Sequence, residues 1–346
     1  MAEKENQTEK LLYLQSSPHI ARADDVPKIM SRVIISLLPV TVWGIVIFGI
    51  SALMNIAVSV AAAIVGESLF RRITGKDIRI RDYSAVVTGL LLALVIPPST
   101  PIWMTALGSL FAIIVVKEFF GGLGANVFNP ALGGRAFMLM SFPAAMTTWL
   151  KPTGIGTPYY QFNGENIVDG ATTATPLGIL KVSGGGFGAV ESSLDVSSYG
   201  EMLKELFLGN RAGSIGETSI LLILAGGIFL LITKTIDWRA PLALIVTSFI
   251  ASWALGMDPV FAVLSGGIVF GAVFMATDYT SAPVSEYGKL IFGVGAGLIA
   301  VLIRKFGSYP EGASYGILIM NMATPFLNNL LHKKYGYVAP VKGVKK

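Results

Sequence analysis

From Val33 to Gly66 the sequence runs for 34 residues without a charged side chain, and a second uncharged run covers Ser84–Val116. A helix needs about 20 apolar residues to cross the hydrocarbon core of a bilayer, so these runs predict membrane-spanning helices. Charged residues make up only 14% of the chain and the mean hydropathy is +0.66, whereas soluble domains carry about 25% charged residues. The chain is therefore predicted to be a polytopic membrane protein.

Breaks in the uncharged runs set the predicted number of helices. Val33–Gly66 fits two short helices that turn near Asn55, and the PPSTP sequence at 97–101 splits the second run, because proline disfavours helix in the residue before it. A fifth, shorter apolar segment ends near Thr147. Five further spans are predicted at about 218–234, 240–257, 259–277, 289–304 and 312–331.

The predicted fold is an all-α polytopic membrane protein with about ten transmembrane helices in two inverted five-helix repeats. Five spans before an external insertion and five after it enter the membrane from opposite sides, as in inverted-repeat proteins. Both halves contain proline breaks, IPPSTP and NPALGG in the first, TDYTSAP and NMATPF in the second. The predicted segments are a tail at 1–30, a membrane half at 31–147, an external loop at 148–216, a second membrane half at 217–331 and a basic tail at 332–346.

The distribution of basic residues predicts the orientation. With a cytoplasmic N-terminus, 19 of the 26 Lys and Arg residues fall in cytoplasmic segments and six outside, with Arg135 unassigned. Because cytoplasmic loops carry the excess of Lys and Arg, both termini are predicted inside and the 148–216 loop outside. Residues 1–30 show no apolar core with a small-residue cleavage site, so no cleavable signal peptide is expected.

The absence of cysteine excludes several redox centres. Without cysteine, this chain cannot bind an iron–sulfur cluster through thiolates or form a disulfide, and only two histidines are present. Any redox role would therefore need an organic cofactor, and no metal site is predicted. The net charge of +5 fits basic membrane loops and does not indicate nucleic-acid binding, because no soluble basic domain exists to carry such a site.

The external loop contains one motif that suggests a specific chemical role, VDGATTATPLG from Val168 to Gly178. These residue types also form ordinary polar turns. Their order, however, matches the pattern Asp-x-x-Ser/Thr-x-Ala-Thr and resembles the motif read by periplasmic flavin transferases, which move FMN from FAD onto a threonine hydroxyl through a phosphoester bond. On that alignment Asp169 leads the motif, Thr172 and Ala174 occupy its Ser/Thr and alanine positions, and Thr175 is the acceptor. Thr173 stands where the motif has glycine, and Thr172 is the alternative acceptor if the register reads DGAT.

With this motif, the chain resembles the D subunits of Rnf complexes and, more distantly, the B subunits of sodium-pumping NADH:quinone oxidoreductases. The resemblance covers nearly the whole chain. It is carried by SPHI at 17–20, DYSAVVTGLLLALVIPP from Asp82, KEFFGGLGANVFNPALGGRAF from Lys117, DGATTATPLG and MATDYTSAP from Met275.

The resemblance implies a function that composition does not show. It implies a translocase component, not catalytic in isolation, in a bacterial inner-membrane complex that couples electron transfer between ferredoxin and NAD to movement of Na⁺ or H⁺. It implies covalent FMN on the outer face and a second, noncovalent flavin, riboflavin. The implied partners are the A, B, C and E subunits of the Rnf complex and especially its flavin-carrying G subunit, a flavin transferase, and membrane lipid; NAD and ferredoxin would bind to partner proteins of the complex.

Four further residues are candidates for a second flavin site or an ion path: Asn126, Asn129, Arg135 and Asp278. Ionisable residues at membrane depth suggest function, but residues at the ends of spans do not. The alternatives are a helix-starting Asn-Pro turn, an interfacial arginine and a helix cap at the aspartate. The charged pair at 117–118 is predicted to be a solvated helix end.

Two other functions stay open from the sequence. A facilitator or channel for a small polar solute would suit broken helices in two inverted halves, and fold does not fix function. A scaffold that only docks catalytic partners is the third interpretation. The facilitator predicts no cofactor, an unmodified Thr175 and transport by the isolated subunit, whereas the scaffold predicts that loss of Thr175 leaves electron transfer intact.

Overall fold

The computed structural model describes residues 25–77, 80–152, 172–184, 186–194, 196, 198–307 and 311–331. These residues are mostly helical, as predicted. The first part of the chain forms α1 (Val26–Ile73), α2 (Ser84–Leu94), α3 (Ile102–Phe111, continued as a wider π-helical turn through Glu118), α4 (Pro130–Ser141) and α5 (Pro143–Met146).

Helix α1 is two helices joined by a sharp kink at Gly49. Gly49 adopts φ 63° and ψ −142°, a conformation that is essentially restricted to glycine. The turn predicted near Asn55 is therefore wrong. Asn55 lies inside the second helical part, fully buried, and its amide donates hydrogen bonds to the Ser51 and Pro98 carbonyls.

The segment that follows the first half carries secondary structure of its own. Strand β1 (Trp149–Leu150) pairs antiparallel with β2 (Thr172–Thr173), a small departure from the all-α prediction. Helices α6 (Pro176–Val182), α7 (Phe187–Ser193) and α8 (Tyr199–Leu208) follow. Their apolar faces form a separate small core around Val190, Met202 and Leu206, so the described part of this insertion is a packed structure and not only a polar loop.

The second half contains α9 (Ile220–Ile232), α10 (Arg239–Ala254), α11 (Pro259–Leu264), α12 (Ile268–Phe270, continued as a π-helical turn through Met275), α13 (Glu286–Phe306) and α14 (Ala313–Leu331). The span predicted at 259–277 is not one continuous helix, because Ser265–Gly267 interrupts it and Gly266 has φ 67°. The Arg304 guanidinium donates to the freed carbonyls of Ala262 and Ser265. Backbone groups at membrane depth need such internal partners.

Among the described helices, α1 and α13 are each long and apolar enough to cross a bilayer, and α2, α9 and α10 are shorter apolar helices. Helix α1 packs on α2, α3 and α9, while α13 packs between α10 and α14. One large apolar core joins both halves, with Leu37, Leu92, Phe270 and Phe292 almost completely buried in it.

Candidate functional site

Thr175 occupies the N-cap of α6. Its backbone is extended, with φ −64° and ψ 152°, and its Oγ1 accepts a hydrogen bond from the Gly178 amide at 3.1 Å. Threonine is a favoured N-cap residue, and proline fits the first helical position, here Pro176. The side chain is only 7% exposed. The sequence Thr-Pro-Leu-Gly thus fixes the direction of one hydroxyl oxygen.

The strand pair ties this turn to the membrane helices. Thr173 pairs with Trp149 and Thr172 with Leu150, so the chain enters the Thr175 turn from a hydrogen-bonded ladder. Immediately before β1, the Thr148 carbonyl accepts a hydrogen bond from Ser99 Oγ at 2.6 Å. Ser99 belongs to the proline break between α2 and α3. The strand pair and this hydrogen bond therefore connect the Thr175 turn to that break.

A cavity of about 180 Å³ lies beside the turn. Thr173, Ala174 and Pro176, the residues that flank Thr175, form one side of it. Lys151, Asn210 and Arg211 contribute polar and basic groups to the rest. Thr175 does not itself line this cavity, but residues on both sides of it in the chain do, and a basic cavity in that position is suited to a phosphate ester.

Arg211 is held rigidly at this cavity. Its guanidinium donates to the Leu264 carbonyl at 2.7 Å and to the Glu217 carbonyl at 2.6 Å, and the residue is 3% exposed. Burial lowers the pKa of Arg211 to about 10, so the side chain keeps its positive charge at neutral pH. Lys151, in contrast, is exposed.

The other motif residues occupy different environments. Thr172 lies in β2 and is half-buried, whereas Ala174 is exposed and leaves the backbone beside Thr175 open. Asp169 lies outside the described residues. Of the two threonines that the alignment allows as acceptors, Thr175 is the one whose hydroxyl caps a helix.

Arg135 is a buried structural cation in α4. Its Nε donates to the Val95 carbonyl at 2.7 Å, one terminal nitrogen donates to Ser314 Oγ at 2.6 Å, and the other forms an ion pair with Glu311. Arg135 is 3% exposed. These contacts tie α4 to the end of α2 and to the start of α14, and so they link the two halves of the chain.

The two asparagines lie at the start of α4. Asn129 Oδ1 caps α4 by accepting from the Leu132 amide at 3.2 Å, and its Nδ2 donates to the Met275 carbonyl at 3.5 Å. Asn126 donates to the Phe128 carbonyl at 2.9 Å, and among the described residues its Oδ1 has no hydrogen-bond partner. Both side chains are almost fully buried.

Asp278 follows the π-helical turn at the end of the broken span. Its carboxylate accepts from Ser281 Oγ at 2.8 Å and from Thr280 Oγ1 at 3.1 Å. Burial raises the pKa of Asp278 above its ordinary value in spite of these hydrogen bonds. Asp278 also lines a cavity of about 180 Å³ together with Asp237 and Lys289. The described part of the chain contains no group of three or more His, Cys, Asp or Glu side chains that could hold a metal ion.

A charge cluster in the first half was missed by sequence reasoning. Lys117 and Glu118 are each 1% exposed, so the prediction of a solvated helix end is wrong. Lys117 Nζ contacts Glu67 Oε2 at 2.9 Å and Ser84 Oγ at 2.7 Å, and Arg71 pairs with Glu118 at 2.9 Å. The available signal was Glu67 and Arg71 at i and i+4 on one face of α1.

Comparison with known proteins decides the family. The model of the NQR2, RnfD, RnfE family matches residues 13–336. The chain belongs to this family.

Curated relatives cover nearly the whole chain. The D subunit of the proton-translocating ferredoxin:NAD(+) oxidoreductase complex of Clostridium ljungdahlii is 44% identical, over 91% of this chain and 93% of that protein. The D subunit of the Na(+)-translocating ferredoxin:NAD(+) oxidoreductase complex of Acetobacterium woodii is 41% identical, over 96% and 97%. The D subunit of an ion-translocating oxidoreductase complex from Stutzerimonas stutzeri is 37% identical, over 90% and 92%.

In this member of the NQR2, RnfD, RnfE family, SPHI at 17–20 lies outside the described residues, and the other motifs that carry the resemblance adjoin irregular points of the fold. The DYSAVV run forms α2 and ends at the proline break, and the KEFFGG run leads from the buried charge cluster to α4. The TTATPLG stretch from Thr172 contains β2 and the cap of α6, and MATDYTSAP ends the broken span. Such points combine special backbone conformations with buried polar groups.

Proposed function

We propose that this chain is the D-type membrane component of an ion-translocating ferredoxin:NAD oxidoreductase and that it carries electrons on an FMN attached to Thr175. The single observation that carries the attachment site is the oriented, helix-capping Thr175 hydroxyl in a turn whose neighbouring residues line a basic cavity. The family membership and the names of three relatives support the assignment to such a complex. The chain acts as an electron carrier within the complex and not as an isolated catalyst.

The residues present fit a phosphoester-linked flavin. In the attachment step, Thr175 Oγ1 forms a bond to the FMN phosphorus of FAD, the pyrophosphate bond breaks, AMP leaves, and the hydroxyl proton passes to a base of the flavin transferase. Arg211 and Lys151 supply positive charge on the adjacent cavity wall, where it stabilises a phosphate. The exposed Ala174 lets the transferase approach the backbone, and Asp169 is the proposed acidic recognition residue.

Attached FMN would supply redox chemistry with one or two electrons, while the protein positions and tunes it. The chain's own contribution is a fixed attachment point: the β1–β2 ladder and the α6 cap hold Thr175 in place. Arg211, anchored by two carbonyls, keeps a permanent positive charge nearby. A nearby cation favours the more negative state of a bound group, and Arg211 therefore acts as a residue that raises the reduction potential.

The proposed topology has ten membrane helices in two inverted halves, with both termini cytoplasmic and the Thr175 loop outside the bacterial inner membrane. The excess of basic residues in the segments assigned inside supports this orientation. The G subunit is the proposed electron partner at the outer face, and the A, B, C and E subunits complete the complex. A noncovalent riboflavin, with Asn126, Asn129, Arg135 or Asp278 near it, stays a prediction from the resemblance.

The test compares covalent flavin in three forms of the complex expressed with the flavin transferase. The wild-type chain should fluoresce in a denaturing gel, Thr175→Val should not, and the matched control Thr172→Val should keep the signal. Ferredoxin-dependent NAD reduction should fall with Thr175→Val and stay near wild type with Thr172→Val. Fluorescence that persists in Thr175→Val would remove the proposed attachment site.

A further inference from the structure

Helices α1 and α3 meet along a regular series of buried side-chain pairs. Asn55 contacts Thr105, Ser59 contacts Ser109, and Glu67 contacts Lys117, and in each pair the partner lies 50 residues further along the chain. A constant offset means that the two helices run parallel and in register. Four helical residues rise about 6 Å, so the pairs form successive rungs of what we term the α1–α3 seam.

The outer rungs of the seam are hydrogen-bonded hydroxyl and amide groups. Thr105 Oγ1 donates to Asn55 Oδ1 at 2.6 Å, and the two serine hydroxyls lie 2.7 Å apart with either oxygen able to donate. Ser59 Oγ also reaches the Gly89 carbonyl of α2 at 2.6 Å. All four side chains are fully buried. Hydroxyls that can both donate and accept are the groups that pass protons along a hydrogen-bonded chain.

The inner rung is charged and incompletely satisfied. Lys117 Nζ bonds to Glu67 Oε2 and to Ser84 Oγ. Among the described residues, the other carboxylate oxygen, Glu67 Oε1, is buried without a hydrogen bond, and its nearest cation is Arg71, whose Nε lies 3.3 Å away. Ionisable groups inside membrane helices are costly and mark proton or ion pathways. This end of the seam can therefore accept a proton from the cytoplasmic side.

One apolar rung separates these polar parts. Ala63 and Ile113 occupy the position between Ser59–Ser109 and Glu67–Lys117, with the same offset of 50, and both are fully buried. With Ala85 they form a small apolar cluster of their own. The series of polar rungs is thereby interrupted between the second and fourth rungs, about 12 Å apart along the helix axis.

The outer end of the seam reaches the Thr175 loop. Asn55 Nδ2 donates to the Pro98 carbonyl in the break between α2 and α3. The neighbouring Ser99 donates to the Thr148 carbonyl, directly before the strand that pairs with Thr172–Thr173. A change in the turn that holds Thr175 can consequently reach Asn55 through a short series of hydrogen bonds.

We propose that the α1–α3 seam is a proton path and that the Ala63–Ile113 rung is its apolar gate. The conducted species is a proton because the serine oxygens lie 2.7 Å apart. A metal ion would need more room, because even the small Mg²⁺ holds its oxygen ligands at about 2.0–2.1 Å, and oxygens on opposite sides of it are about 4 Å apart. The inference rests on the proposed function, ion translocation by the complex, and it assigns a route through this chain.

The test measures passive proton entry into liposomes that contain the assembled complex, without ferredoxin or NAD. A K⁺ diffusion potential set with valinomycin drives the flux, and a pH-sensitive dye reports it. Ile113→Ser places a hydroxyl in the gate and should raise the rate about tenfold, the change that a barrier lowered by about 1.4 kcal/mol produces. Ala63→Ser, on the other side of the same rung, should act likewise.

Two further variants separate a proton path from damaged packing. Ile113→Val keeps the gate apolar and should leak no faster than wild type. Adding Ser109→Ala to Ile113→Ser removes the neighbouring hydroxyl and should return the leak to the wild-type rate. Equal leaks in Ile113→Ser and wild type, or in Ile113→Ser and Ile113→Val, would overturn the proposal, as would passage of ²²Na⁺ without protons. Covalent flavin fluorescence in the same samples tests the Thr175 assignment separately, so the two proposals can fail independently.

Discussion

Removing the Lys117 ammonium should strongly destabilise the protein. Lys117 Nζ lies 2.9 Å from Glu67 Oε2 and 2.7 Å from Ser84 Oγ, and both charged side chains are 1–2% exposed. Lys117→Met keeps the length and the packing of the side chain but leaves a buried carboxylate with one cation fewer. Breaking a buried ion pair on one side costs about 3–5 kcal/mol. Arg71 Nε still lies 3.3 Å from Glu67, which places the expected loss at the lower end of this range.

The assay is a double-mutant cycle with Lys117→Met, Glu67→Leu and the double variant. Unfolding is followed by tryptophan fluorescence during SDS titration in mixed micelles. Replacing both partners by apolar groups is often nearly neutral, so the double variant should be more stable than Lys117→Met alone, with a coupling of about 2 kcal/mol. Lys76→Met, at an exposed lysine, is the matched control and should change stability by less than about 0.5 kcal/mol.

Two results would refute the reasoning. If Lys117→Met lost no more stability than Lys76→Met, the buried ion pair would not contribute to the stability of the folded state. If the losses from the two single variants simply added in the double variant, the two side chains would not interact. Either result would also remove the charged rung from the α1–α3 seam.

Three further predictions concern backbone and loop contacts. A Cβ at Gly89 would lie 2.8 Å from the Val60 Cα, so Gly89→Ala should cost about 1–3 kcal/mol through overpacking, measured by the same titration. Gly49 has φ 63° and ψ −142°, and Gly49→Ala should cost about 1–3 kcal/mol; an unchanged midpoint would contradict the kink. Partial desolvation and the hydrogen bond to Asp258 raise the pKa of Tyr199, a partly exposed side chain, to about 12. The stability advantage of wild type over Tyr199→Phe should therefore be present below pH 10 and disappear as the pH rises from about 10 to about 12, which thermal unfolding at pH 9 and pH 12 can show.

The features that sequence predicted are those set by local patterns. Long uncharged runs require helices in a membrane, and proline at 97–101 ends α2 for a steric reason that needs no tertiary information. The Thr-Pro-Leu-Gly sequence likewise contains the elements of a helix start, and the structure places the Thr175 side chain at that N-cap. These features depend on residues within a few positions of one another.

The missed features depend on distant partners. Lys117 and Glu118 follow an apolar run just as solvated helix-end residues do, but their partners Glu67 and Arg71 lie 50 and 47 residues away. The partner of Arg135, Glu311, is 176 residues away. No local sequence pattern indicates such pairs, because burial of the charged group becomes visible only when the positions of both helices in the fold are known.

One misplaced break, at Gly49, and one missed break, at Gly266, have a different cause. Glycine is frequent in membrane helices, so Gly49 and Gly266 look like ordinary helix residues in the sequence. Their positive φ angles become visible only in the structure. Asn55, in contrast, is polar and suggested a turn, but it is buried and hydrogen-bonded to Thr105. A polar residue in an apolar run thus indicated a tertiary contact and not a break.

The central claim, a covalent flavin on Thr175, is tested most directly by mass spectrometry of the chain expressed with its flavin transferase. The intact mass should increase by one FMN minus one water, and fragmentation of the peptide that contains Thr172–Gly178 should locate the increase on Thr175. The same increase on Thr172 would keep the electron-carrying function and correct the acceptor. An unmodified peptide from cells with an active transferase would contradict the proposed function.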